Sequence, residues 1–121
     1  MSGAAARRKG NSFECAVAAF LRDNGWRALT SRQARNGYQS GADLITDFPT
    51  TVEAKNRKQL DLAGWVDQAV DDAAGDLASV WVKRRGRADV GESYVIMRAC
   101  DFVSLVGRLR TQPLDDRDVA F

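Results

Sequence analysis

Histidine is absent from this 121-residue chain. That absence excludes a Ser-His-Asp or Cys-His nucleophile, a histidine general base and the common histidine-containing zinc sites. Catalysis would fall to carboxylates, lysine, arginine, tyrosine, hydroxyls or a bound hard cation. Cysteine is scarce. Cys15 and Cys100 stand far apart without CxxC spacing, so no disulfide framework or cysteine-rich zinc site is available. Both lie among apolar residues, which predicts buried, reduced thiols. No run approaches the roughly 20 apolar residues that cross a bilayer. The apolar stretch from Cys15 to Leu21 follows the basic residues Arg7, Arg8 and Lys9, as in a signal peptide. However, Glu14 precedes it directly, Arg22 and Asp23 end it, and no small-residue cleavage site follows. The expectation is a cytoplasmic protein with no membrane partner.

What is present is an ordinary folding composition, 45% hydrophobic and 28% charged, at a length that fits one domain. The net charge of +2 is unevenly spread. Residues 1–58 carry ten basic and five acidic side chains, net +5; residues 59–121 carry eight and eleven, net −3.

Residues 1–10 read as a flexible basic arm. Asn11 then precedes a helical stripe of Phe13, Val17 and Leu21, with Ala16 and Phe20, and Gly25 supplies a stop. Trp26 to Leu29 reads as a short strand, and the polar residues 31–41 as an exposed loop. Two strands follow, one alternating through Asp43, Ile45 and Asp47, the other running from Thr51 to Lys55, with a turn at Pro49 between them. Asp61 caps a helix carrying Leu62, Trp65, Val66, Ala69 and Ala73. Ala78 to Val82 and Ser93 to Met97 read as strands. Asp101 opens a last helix with Phe102, Leu105, Val106 and Leu109 turned inward. The three tryptophans, Trp26, Trp65 and Trp81, read as core. The order α-β-β-β-α-β-β-α predicts an α/β domain over residues 11–112, with a mixed central sheet flanked by helices. Residues 113–121 form a loose acidic tail.

Glu53-Ala54-Lys55 is the one place where an acidic residue stands two before a lysine. On a strand, period-2 geometry puts Glu53 and Lys55 on the same face, roughly 6–7 Å apart. A hairpin through Pro49 would bring Asp43 beside Glu53. Two carboxylates repel at close range unless a cation neutralises them. Mg²⁺ suits such a pair, since it takes one or two carboxylates, keeps several waters and accepts a phosphate. Lys55 would orient the water or offset charge on the phosphate. A surface salt bridge is the alternative for the triplet taken alone.

Glu14 has two readings of equal weight. Asn11-x-x-Glu14 matches a capping box, yet the same carboxylate could look across to the sheet and join the metal site. Gln68 reads as a polar edge residue or as a partner of a water or phosphate near Lys55. Arg32 and Arg35, then Arg57 and Lys58, then Lys83, Arg84 and Arg85 flank the acidic residues and suit a polyanionic backbone. Tyr38, in the polar loop, is the aromatic best placed for a nucleic-acid contact.

Taken in order, Arg8-Lys9-Gly10-Asn11-Ser12-Phe13-Glu14, Gly41-Ala42-Asp43, Val52-Glu53-Ala54-Lys55, the helix with Gln68, and Lys83-Arg84-Arg85-Gly86 resemble the PD-(D/E)xK nuclease superfamily. Within it they resemble the archaeal-type Holliday junction resolvases and their phage relatives, over about residues 7–98. Ala42 departs from the superfamily's proline, at a position that shapes a turn and carries no ligand. The resemblance implies a restriction-endonuclease-like core. It implies that Asp43, Glu53 and Glu14 ligate Mg²⁺, with Mn²⁺ able to substitute, that Lys55 assists the attacking water and that Gln68 supports the site. Arg8, Lys9, Ser40 and the basic residues above would contact DNA. It also implies a homodimer, because paired symmetric cuts across a four-way junction need two sites related by a two-fold axis. A duplex-cutting restriction or repair nuclease on the same core, and a non-catalytic nucleic-acid-binding module, are the alternatives.

Overall fold

The computed structural model describes residues 3–34 and 42–110. It is a mixed α/β fold of three helices, with one three-stranded mixed sheet and one two-stranded ladder among the described residues. In chain order the elements are α1 (Gly3–Asp23), β1 (Ala28–Thr30), β2 (Leu44–Thr46), β3 (Thr51–Lys55), α2 (Leu62–Ala73), β4 (Ala78–Val82), β5 (Tyr94–Ile96) and α3 (Ala99–Gly107). A short 3₁₀ turn, Val90–Glu92, precedes β5. The order matches the sequence expectation. The single central sheet does not: β1 and β2 pair antiparallel with each other, while β3 pairs parallel with β4 and β4 antiparallel with β5.

The first helix is longer than its hydrophobic stripe suggests. Residues 3–10, expected as a flexible arm, are its opening turns. Ala4, Ala5, Ala6, Arg7, Arg8 and Lys9 are all good helix formers, and no proline or cap interrupts them before the apolar stripe begins. Asn11 therefore sits inside a helix and caps nothing. Phe13, Val17, Ala18 and Leu21 are buried. Gly25, at φ +92°, makes the left-handed turn that ends the helix, and the Trp26 N–H donates back to the Leu21 carbonyl.

β3 and β4 have both faces packed, which is why β4 reads as a nearly continuous apolar run, while Tyr94 and Val95 on the edge strand β5 are exposed. Val52, Ala54 and Trp81 join the cluster beneath α1; Ala78, Val80 and Val82, one residue out of phase, join the cluster with α2. Trp81 meets Phe20 and Phe48 edge-on, each ring 6.1 Å away, and its indole N–H donates to Ser79 Oγ. Trp26 is partly exposed and packs edge-on to Phe48, and Trp65 is half-buried, so only Trp81 is core in the full sense. Asp61 caps α2 as expected, its carboxylate accepting the Gly64 N–H. At Gly64 the carboxylate closes over the space a Cβ would take, so any larger residue would make the Asp61 side chain shift. The left-handed pair Ala74 and Gly75 ends the helix.

The last helix is turned the other way from expectation. Asp101 is buried and held by Arg98 through two 3.1 Å hydrogen bonds, with Leu105 one turn on at half-burial. Phe102, Val106 and, just beyond the helix, Leu109 are exposed. The fork of Arg98 on Asp101 makes the polar side of the first turn the inward one. Both cysteines are exposed as well: Cys15 lies off the Phe13–Val17–Leu21 stripe, and Cys100 precedes the buried Asp101.

The same truncation should therefore give very different results in α1 and just past the end of α3. Leu21→Ala is expected to cost about 2–5 kcal/mol in chemical denaturation, while Leu109→Ala shifts stability by no more than about 0.5 kcal/mol.

Candidate functional site

Asp43 stands just before β2 and reaches β3 with its side chain. Its Oδ2 accepts the Ala54 N–H at 2.8 Å. Its own backbone is fixed by Ser31, whose N–H and Oγ both donate to the Asp43 carbonyl, at 2.9 and 3.1 Å, while Oγ also reaches the Ala42 carbonyl. Asp43 and Glu53 therefore meet, as the hairpin reading expected, but by another route. β2 forms no ladder with β3; one side-chain hydrogen bond to the backbone replaces it.

Glu53 is buried, and its Oε1 has no hydrogen-bond partner among the described residues. Its pKa is pushed up to about 9, first by burial, then by the Asp43 charge and a hydrogen bond to the Asp43 carboxyl, then by Asp72; Lys55 acts in the opposite direction. Two carboxyl groups joined by a hydrogen bond must hold a proton between them. Asp72 belongs to α2 and is half-buried. The sequence reading missed it; the signal was its place one turn after Gln68, on the α2 face that covers β3. Gln68 is exposed and donates to Asp72 Oδ1 at 3.1 Å. It acts on the neighbourhood of Glu53 through that carboxylate, not through Lys55.

Glu14 looks out from α1 toward Asp43. The capping-box reading fails because the helix starts eleven residues earlier. Asn11 and Glu14, one turn apart, both accept from the Arg32 guanidinium, Glu14 at 2.8 Å. Burial, then Asp43, raises the pKa of Glu14, while Arg32 and Lys55 oppose them. Glu14, Asp43 and Lys55 line one cleft of about 370 Å³ with Asn11, Asn56 and Arg57. Among the described residues no three acidic or cysteine side chains come close enough together to hold a metal ion. The compact part of the site is the Asp43–Glu53 pair, with Glu14 across the cleft in the grip of Arg32.

A second, larger cleft of about 680 Å³ adjoins the first through Asn56 and Arg57. It gathers Lys9, Arg57, Lys58, Lys83, Arg84 and Arg85, with no acidic residue in its lining. The parallel pairing of β3 with β4 explains the gathering. Both strands end at the same edge, the Lys83 N–H donating to the Lys55 carbonyl, so the basic segments that follow them emerge side by side. Asn56 Nδ2 reaches the Lys9 carbonyl and draws α1 to the same edge. Of the other expected DNA contacts, Arg8 is exposed on α1 and Arg32 is engaged with Glu14. Arg35, Tyr38 and Ser40 lie outside the described residues, as does the tail beyond residue 110. No protein-family model, no curated protein and no solved structure matches the chain. No described helix is long and apolar enough to cross a membrane.

The raised pKa of Glu53 has a definite sign in stability. Below about pH 4.5 the folded and unfolded chains both carry this proton. Between there and about pH 9 only the folded chain keeps it, so stability falls as pH rises. Glu53→Gln removes that dependence. In metal-free urea denaturation the variant is expected to match the parent near about pH 5 and to exceed it by at least about 1 kcal/mol near about pH 8.

Proposed function

We propose that this protein is a metal-dependent endodeoxyribonuclease that cuts branched DNA, four-way junctions in particular. The observation that carries the reading is the meeting of Asp43 and Glu53 at β3, with Lys55 two residues on and a continuous basic surface beside them.

The donor set fits Mg²⁺. Two carboxylates suit a cation that takes one or two of them and fills its remaining positions with water and phosphate oxygen. The unpartnered Oε1 of Glu53 is a buried acceptor that an ion would satisfy. Asp43 and Glu53 would hold the ion, and Glu14 would face it across the cleft. Bound there, it supplies charge neutralisation at the phosphate and a more acidic water. The chain's own residues do the rest. The Ala54 N–H fixes the Asp43 carboxylate and Ser31 fixes its backbone, so this oxygen donor is held before substrate arrives. Lys55 forms no ion pair among the described residues. Its ammonium would orient the attacking water and offset negative charge as the water oxygen bonds to phosphorus and a bridging oxygen leaves. Arg57, Lys58, Lys83 and Arg85 position the strand through its phosphates without reading sequence. A homodimer belongs to this reading, since paired cuts need two sites. The larger cleft, with six basic and no acidic residues in its lining, favours one rival, a module that binds nucleic acid without cutting it.

Labelled four-way junctions, linear duplex and single strands, each incubated with Mg²⁺ or EDTA, separate these readings. Metal-dependent paired nicking of junctions is expected, with Asp43→Asn reducing it by about 100-fold or more. Equal cutting of plain duplex would overturn the preference for branched DNA and keep the nuclease. Binding by the unaltered protein with no cutting would establish the non-catalytic module instead.

A further inference from the structure

The basic cleft is more than a phosphate contact. Its lining includes three apolar side chains, Leu60, Val82 and Tyr94. Val82 is buried and forms part of the wall; Leu60 and Tyr94 are 62% and 55% exposed. Tyr94 lies opposite Val82 across the β4–β5 ladder, and the Arg84 guanidinium sits over its ring, 5.0 Å from the centroid. Two large exposed apolar groups, one stacked on a cation, thus stand inside a ring of six basic side chains. A surface that only tracks the phosphates of a duplex has no use for them, because a duplex keeps its base faces stacked inside. An unpaired nucleotide presents both things this cleft offers to meet: a flat apolar face and flanking negative charge. The cleft volume of about 680 Å³ is of the size that encloses a small organic ligand.

We propose that this cleft holds an unpaired nucleotide of a DNA strand, its base stacked on Tyr94 and the Arg84 plane, its neighbouring phosphates on Lys58, Lys83 and Arg85. Asn56 and Arg57 are shared with the carboxylate cleft, so a strand anchored here continues toward Asp43 and Lys55. The inference rests on the nuclease reading only for the direction of that strand. Capture of the base needs no catalysis. It also gives the preference for branched DNA a physical cause, since a junction that opens at its crossover frees a base that a continuous duplex does not.

The test uses the full chain in EDTA, so that cutting plays no part. Fluorescence anisotropy compares a single-stranded oligonucleotide with a duplex of equal length at about 50 and about 200 mM salt. Tyr94→Ala is expected to weaken single-strand binding about tenfold while leaving duplex binding and the salt slope unchanged. Tyr94→Phe, which keeps the ring, is expected to restore it. Arg85→Ala is expected to weaken both substrates and lower the salt slope by about one. A second measurement needs no variant: 2-aminopurine in the single strand is expected to be quenched on binding the unaltered protein, because a stacked base loses fluorescence. An equal effect of Tyr94→Ala on both substrates, or 2-aminopurine left unquenched, overturns the inference. A quenched base with no Mg²⁺-dependent cutting would overturn the nuclease reading alone, and cutting with no quenching would overturn the nucleotide site alone.

Discussion

The hydrogen bond from the Ala54 N–H to the Asp43 carboxylate decides how the rest of the site is arranged. It joins two parts of the chain that share no strand ladder, and it sets one carboxylate against another in a buried place. Burial raises the cost of charge on Glu53, and Asp43 raises it again. In the ion-free fold a proton relieves that cost. In the proposed nuclease a hard divalent cation would relieve it instead, meeting the unpartnered Oε1 as well. The same arrangement that weakens the fold toward alkaline pH is the one on which the proposed cation site rests.

Strand direction is the second constraint. Because β3 and β4 run parallel, the residues after each of them leave the sheet at one edge, the edge where open α/β sheets commonly bind ligands. Charge then accumulates there by topology. Arg57 and Lys58 belong to one segment, Lys83, Arg84 and Arg85 to another, and Lys9 to a helix; no local pattern links them. The acidity of the second half of the chain lies largely elsewhere, so no acidic residue enters that lining. The carboxylate cleft opens beside it through Asn56 and Arg57. A substrate with negative charge would meet the basic surface first and be steered to the carboxylates by it.

The element order, the Asp61 cap, the Gly25 stop and the Glu53-Ala54-Lys55 strand were legible, because each rests on spacing within a few residues or on one residue's conformational preference. The errors share a cause too. Residues 3–10 read as an arm by their charge, yet alanine, arginine and lysine favour a helix once a neighbouring turn exists to extend. The Phe102–Val106–Leu109 stripe read as a core face, yet the pairing of Arg98 with Asp101 turned the other side inward. Cys15 read as buried from apolar neighbours in sequence, though its direction on the helix is off their stripe.

Local periodicity and the choice of residue types, then, were enough to state which chemistry was available: carboxylates with Lys55 beside one of them, no histidine, and arginine in quantity. Which carboxylates meet was settled only in three dimensions. Asp43 reaches Glu53 across a gap between sheets, Glu14 is drawn to Arg32, and Asp72 arrives from α2 unannounced by any motif. The reason is that the energy of a charge depends on distance and burial, and both come from how helices and strands pack against one another. Spacing along the chain carries neither.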